Sequence, residues 1–143
     1  MNRLATLTIG RFSAIKLLLD THIWLWVINE PEKIGANLAH KLTDPSNELW
    51  LSPISSWEIL ILASKQRIRL RENSAEWIRR ATSRFREAPL SHEIVVAANE
   101  LSFAHRDPAD RFLAATAKIL GLTLATADTK LLGLGDIATM ANR

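Results

Sequence analysis

Short apolar runs alternate along this chain with longer stretches of helical periodicity. "IKLLLD" is a brief, continuous apolar run closed by an acid, the pattern of a parallel strand buried on both faces. "NELWLSP" is a second such run, ended by Pro53. "GLTLATAD" is a third, opening on Gly121 and again closing on an acid, and "IATMAN" supplies a short fourth. Helical segments lie between them. "THIWLWVIN" is apolar enough to pack on a sheet, and "GANLAHKLTD" repeats apolar residues at helical spacing. "SSWEILILASKQRI" begins with serines able to cap a helix and then turns strongly apolar. "NSAEWIRRATSRFREA" is amphipathic, with Asn73 or Ser74 as its cap, and "SHEIVVAANELSF" offers Ser91 and an early acid. "DPADRFLAATAKILG" sets Pro108 where a first turn tolerates proline and closes on Gly121. This alternation predicts an α/β fold, a three-layer α/β/α sandwich with a mainly parallel central sheet. In such sheets sites form outside the carboxyl ends of the strands, so acids at strand ends matter.

The chain's 143 residues, 48% hydrophobic and 23% charged, suit one domain with a real core. No apolar run approaches the ~18 residues needed to cross a bilayer, so no transmembrane helix and no membrane partner are expected. "MNRLATLTIGRFSAIK" scatters Arg3, Arg11 and Lys16 and has no long apolar centre, which makes it a poor secretory leader. The absence of cysteine excludes a disulfide framework and a thiolate zinc site, and fits a reducing cytoplasm. The expected division is an N-terminal extension of unassigned role, residues 1–16, followed by the domain, residues 17–143.

Charge is unevenly spread. Between Lys65 and Arg86 eight basic residues face only Glu72 and Glu76, a net of +6 on a body that sums to −3. Two readings are open: a solvated helix face, or a landing strip for a polyanion such as RNA. On the second reading Arg79, Arg80 and Arg84 contact phosphates.

The acids form the other pattern. Asp20 follows the first strand and Asp128 follows "LTLATA", so both belong at one carboxyl edge. Glu58 lies in the first turn of a helix after the second strand, among Trp57, Ile59 and Leu60. Asp110 lies in the first turn of "DPADRFLAATA", with Asp107 just before Pro108. Taken singly, each could cap a helix or complement its dipole. Taken together, four carboxylates at one edge would repel unless a cation joined them. Oxygen ligands without Cys or clustered His suit Mg²⁺ or Mn²⁺ rather than Zn²⁺. Such ions activate water and stabilise in-line phosphoryl transfer, and the basic segment would make the substrate a nucleic-acid phosphodiester.

"LLLDTHIWLW", "LSPISSWEIL", "HRDPADRFLAATA" and "LTLATAD", in this order, resemble the PIN-domain nucleases, above all the VapC-type toxins of bacterial toxin–antitoxin pairs. The resemblance runs from about Leu17 to the end. It implies that Asp20, Glu58, Asp110 and Asp128 are the catalytic, metal-holding acids, and that the hydroxyls of Thr21 and Thr126 help orient them. Asp107, Arg106 and Arg111 would be site neighbours. It further implies a metal-dependent endoribonuclease acting on tRNA or ribosomal RNA, a homodimer, and a cognate antitoxin that blocks the site. Members of this family commonly begin within a few residues of the first strand, whereas here sixteen precede it.

Competing assignments fail on particular residues. A haloacid-dehalogenase phosphatase needs an acid two places after its nucleophile, where this chain has His22. No Gly-rich stretch ends in Gly-Lys-Ser/Thr, and "GLGD" lacks the third glycine of a dinucleotide fingerprint. His22 reads as structural, with substrate contact as the sharper alternative; His40, His92 and His105 have no ligand spacing. Trp24, Trp26, Trp50, Trp57 and Trp77 read as core or dimer-interface residues, with base stacking as the alternative. The rival from another class is a catalytically silent PIN-like module that binds RNA or protein, which loss of a core acid would favour; all four acids are present.

Overall fold

The computed structural model describes residues 14–101 and 107–143. Its strands are β1 (Lys16–Leu19), β2 (Glu48–Leu51), β3 (Arg86–Glu87), β4 (Thr123–Thr126) and β5 (Ala138–Ala141). Its helices are α1 (Thr21–Asn29), α2 (Ala36–Thr43), α3 (Pro53–Ser64), α4 (Ser74–Ala81), α5 (His92–Glu100), α6 (Pro108–Leu120) and α7 (Thr129–Leu132). A 3-10 turn, Pro31–Lys33, follows α1.

The strands form one sheet in the order β3-β2-β1-β4-β5, and every neighbouring pair is parallel. The sequence pattern leads to this directly, because the apolar run of β1 has no polar face to show to water. Leu17 and Leu19 pack with Ile23, Trp24, Leu38, Leu51 and Ile59 in one layer. Leu18 points the other way, into Ile94, Ala98, Leu113, Ala114 and Leu131. Each fully buried leucine contributes about 2 kcal/mol of apolar burial. The three-layer sandwich follows from that alternation. Ile15 and Lys16 already belong to the sheet: the Glu48 N–H donates to Ile15 O at 2.9 Å, and Lys16 pairs with Glu48.

Several boundaries depart from the pattern. The amphipathic stretch expected to run from Asn73 to Ala88 is helical only to Ala81. The Thr82 hydroxyl bonds back to Ile78 O at 2.7 Å and the Ser83 hydroxyl to Arg80 O at 2.9 Å, and the chain turns into β3. Helix α3 starts at Pro53 rather than at the serine pair. Ser52, not Ser55 or Ser56, caps it by accepting from the Ile54 N–H at 3.1 Å. Asn73, Ser91 and Asp107 cap α4, α5 and α6 as expected. Gly121 closes α6 at φ +67°, a backbone setting that a side chain would strain.

The chain runs from β1 outward through β2 to β3, then crosses to β4 on the far side of β1. Strand order therefore reverses at β1. The crevice at the carboxyl ends of β1 and β4 is the switch point at which α/β sheets place their sites.

Candidate active site

Asp20 stands at that crevice. Its N–H donates to Ala125 O at 2.9 Å, extending the β1–β4 ladder by one step. It holds the N-cap position of α1, yet its side chain caps nothing. Instead, Oδ2 accepts from the Thr126 hydroxyl at 2.6 Å. With 5% of its surface exposed, it is buried. Burial pushes the carboxyl above its ordinary range; the Thr126 hydroxyl, His22 and the Thr21 N–H oppose this, and the charge of Asp128 adds to it.

Thr126 joins two acids. It donates to Asp20 and accepts from the Asp128 N–H at 3.0 Å. The Asp128 carboxylate accepts from the Lys130 N–H at 2.8 Å and so caps α7.

Glu58 reaches the crevice from α3 and is half-buried. The Thr21 hydroxyl forms a short hydrogen bond to its Oε1 and also lies 2.8 Å from Ser55 Oγ. Burial raises the Glu58 carboxyl, and the Thr21 hydrogen bond works against this. The charges of Asp107 and then Asp20 push it further up, while His22 lowers it. Asp20, Asp128, Glu58 and Asp107 thus form one electrostatically linked set. His22 is exposed beside it, its ring 6.4 Å from that of Trp26.

Several of the remaining expected residues lie at the start of α6 and along the basic segment. Asp107 accepts from the Ala109 N–H at 3.0 Å, and Asp110 follows one turn later in α6, half-buried. Arg111 donates to Ala98 O at 3.1 Å and to Leu101 O at 2.8 Å, where it ties the end of α5 to α6. Arg106 and His105 lie outside the described residues. In the basic segment Arg79 pairs with Glu76 and Arg80 with Glu72 at 3.2 Å, while Arg84 is exposed. Among the tryptophans, Trp24 is a core residue packed on Trp77 and Phe85, whereas Trp57 is 59% exposed. Ser55, which the sequence presents as a possible helix cap, is a wholly buried hydroxyl one turn before Glu58 and 2.8 Å from the Thr21 hydroxyl.

These groups can accommodate a hard cation. The donors are all oxygen, and two of the carboxyls are raised by burial and mutual repulsion, so the crevice is short of positive charge. Among the described residues no three acidic or histidine side chains converge closely enough to hold an ion by themselves. Capture by a pair of carboxylates, with water completing the shell, is the mode Mg²⁺ favours.

The PIN domain family model matches residues 17–136. Ribonuclease VapC22 of Mycobacterium tuberculosis is 31% identical over 116 residues, covering 80% of this chain and 88% of the relative. The structure of VapBC2 from Rickettsia felis, bound to a fragment of its promoter DNA, is similar at TM-score 0.68 and 19% identity. It covers 89% of this chain and 98% of the other. A toxin–antitoxin complex from Klebsiella pneumoniae is similar at TM-score 0.62 and 22% identity, with 89% and 98% covered. At these identities the structural likenesses establish a shared fold.

Proposed function

This chain belongs to the PIN domain family, and on that premise we propose that it is a metal-dependent endoribonuclease, the toxin of a toxin–antitoxin pair. One observation carries the reading. Asp20 is a buried carboxylate at the switch point of a parallel sheet, turned from its helix cap to Thr126 and coupled to Asp128 and Glu58. The relative's name supports RNA as substrate, and the toxin–antitoxin neighbour supports a protein antitoxin as partner.

On this reading Asp20, Glu58, Asp110 and Asp128 are the acids of the metal site, a pair of them holding Mg²⁺ or Mn²⁺ directly and the others acting through water, with Asp107, Arg106 and Arg111 beside them. When bound, the ion would acidify a water and offset charge on the phosphate. Thr126 keeps Asp20 and Asp128 at one edge, and Thr21 steadies Glu58. The RNA is a tRNA or ribosomal RNA, met by Arg79, Arg80 and Arg84; the protein acts as a cytoplasmic homodimer. Among the described residues no helix is long and apolar enough to cross a membrane.

The test is direct. The purified chain should cleave RNA with Mg²⁺ or Mn²⁺, stop when EDTA is added, and lose cleavage on Asp20→Asn. Undiminished cutting by Asp20→Asn would remove the mechanism. A wild type that cuts no cellular RNA would point to the silent binding module. Sequencing RNA 5′ ends after brief expression would identify the target at the same time.

A further inference from the structure

We propose that Ser55 is a positioning residue of this site: its hydroxyl fixes the direction of the Thr21 hydroxyl and, through it, the carboxylate of Glu58. The inference rests on the nuclease reading above and deepens it. Thr21 Oγ1 lies within hydrogen-bond distance of two oxygens, Ser55 Oγ at 2.8 Å and Glu58 Oε1 closer still. It carries a single proton. An ionised carboxylate can only accept, so that proton goes to Glu58. The 2.8 Å contact is then satisfied only if Ser55 donates to Thr21, giving a polarised chain from Ser55 through Thr21 to Glu58.

The position of Ser55 leaves its proton little alternative. It is 0% exposed, so no bulk water reaches it. It is the third residue of α3, where no helical turn lies behind it to offer the i−4 carbonyl that serines inside helices use. Leu51 O, four residues back, is engaged by the Ala88 N–H at 2.8 Å. Ser55 therefore gives its one proton to Thr21 and lies on the Glu58 side of α3, one helical turn away. Its side-chain hydrogen-bond partner is the Thr21 hydroxyl. Its effect reaches the reaction by holding Glu58 in one orientation.

The experiment is a double-mutant cycle on the full chain. It uses Ser55→Ala, Thr21→Val and their combination, with kcat and KM for RNA, Mn²⁺ affinity by calorimetry, and Tm all measured. Ser55→Ala should lower kcat or Mn²⁺ affinity by about 10-fold, the usual scale for a group that orients a ligand. KM should hold within about twofold, since substrate contacts are untouched. In the Thr21→Val background the same change should have no further effect on either readout. Ser55→Cys, nearly isosteric and a weak donor, should match Ser55→Ala and separates lost donation from a cavity. Losses that multiply in the double variant, or full kcat and Mn²⁺ affinity in Ser55→Ala, would overturn the inference while leaving the nuclease reading intact. A wild type that neither cuts RNA nor binds Mn²⁺ would end both.

Discussion

At the carboxyl edge over β1 and β4 the charges are drawn in; along residues 65–86 they are left out. Asp20 is 5% exposed and partnered by a buried threonine, whereas the side chains of Arg79 and Arg80 are 69% and 68% exposed. Each of those arginines rests against a glutamate of its own segment. An ionised group in the interior costs stability unless something offsets it, while the same group in water costs almost nothing. In the sequence one is a run of basic residues and the other is a set of single acids spread from Asp20 to Asp128. Only the buried one imposes a cost that calls for a use, and the exposed one is compatible with a use or with none.

That contrast is most sharply tested by Asp20→Asn. RNA cleavage should fall by about 10²- to 10³-fold or more, the scale of losing one preorganised charge at a reacting phosphate. The fold should become more stable, not less. Burial raises the Asp20 carboxyl, so the folded chain holds its proton more tightly than the unfolded chain does. This group's contribution is therefore fully present below the ordinary carboxylate range and is lost as pH rises through the folded value. Melting curves of wild type and Asp20→Asn across that window should diverge as pH rises; parallel curves would mean that burying Asp20 carries no penalty. Next in size is Thr126→Val, which removes the hydroxyl shared by Asp20 and Asp128. Cleavage should drop about 10- to 100-fold, and the acid limb of the pH–rate profile should move to higher pH, because the missing hydrogen bond favoured ionised Asp20. A limb that stays in place would assign the titration to another group.

The exposed region should respond weakly. Replacing Arg79, Arg80 and Arg84 with Gln should weaken RNA binding without changing kcat. On single-stranded RNA it should also flatten the salt slope by about 0.7 for each phosphate no longer neutralised. A slope that does not change would return the segment to the solvated-face reading. Smallest of all, Arg79→Gln or Arg80→Gln should shift folding stability by no more than about 0.5 kcal/mol, measured by urea unfolding, since exposed ion pairs contribute little.

Burial also explains how much of the molecule could be read beforehand. "THIWLWVIN" coincides with α1 residue for residue, and the apolar runs lie over β1, β2, β4 and β5, because those segments owe their form to what they hide. The two-residue β3 could not be seen: Arg86 and Glu87 are exposed charges whose strand character comes only from pairing with Trp50 and Leu51. Helix α7 spans four residues, too short to show a period. In the candidate site, the positions of Asp20 and Asp128 were legible from strand ends, and that of Glu58 from an acid among apolar neighbours. Arg111 was legible as a residue near the acids but not as a tie to α5, since its partners are backbone carbonyls that no side-chain pattern reveals. Ser55 depended on a contact with Thr21, 34 positions away, and distance along the chain hides such pairs.

The same long reach has a consequence for the timing of synthesis. Asp20 and Thr126 are separated by 106 positions, and β1 acquires its second neighbour only when β4 has been made. A ribosome adding about 5–20 residues per second needs on the order of 5–20 seconds to cover that interval. Throughout it, β1 has an open edge on the β4 side and Asp20 lacks its hydroxyl partner. Non-local pairing of this kind also closes slowly. Asp20 and Asp128 are therefore brought to one edge only after β4 has been made.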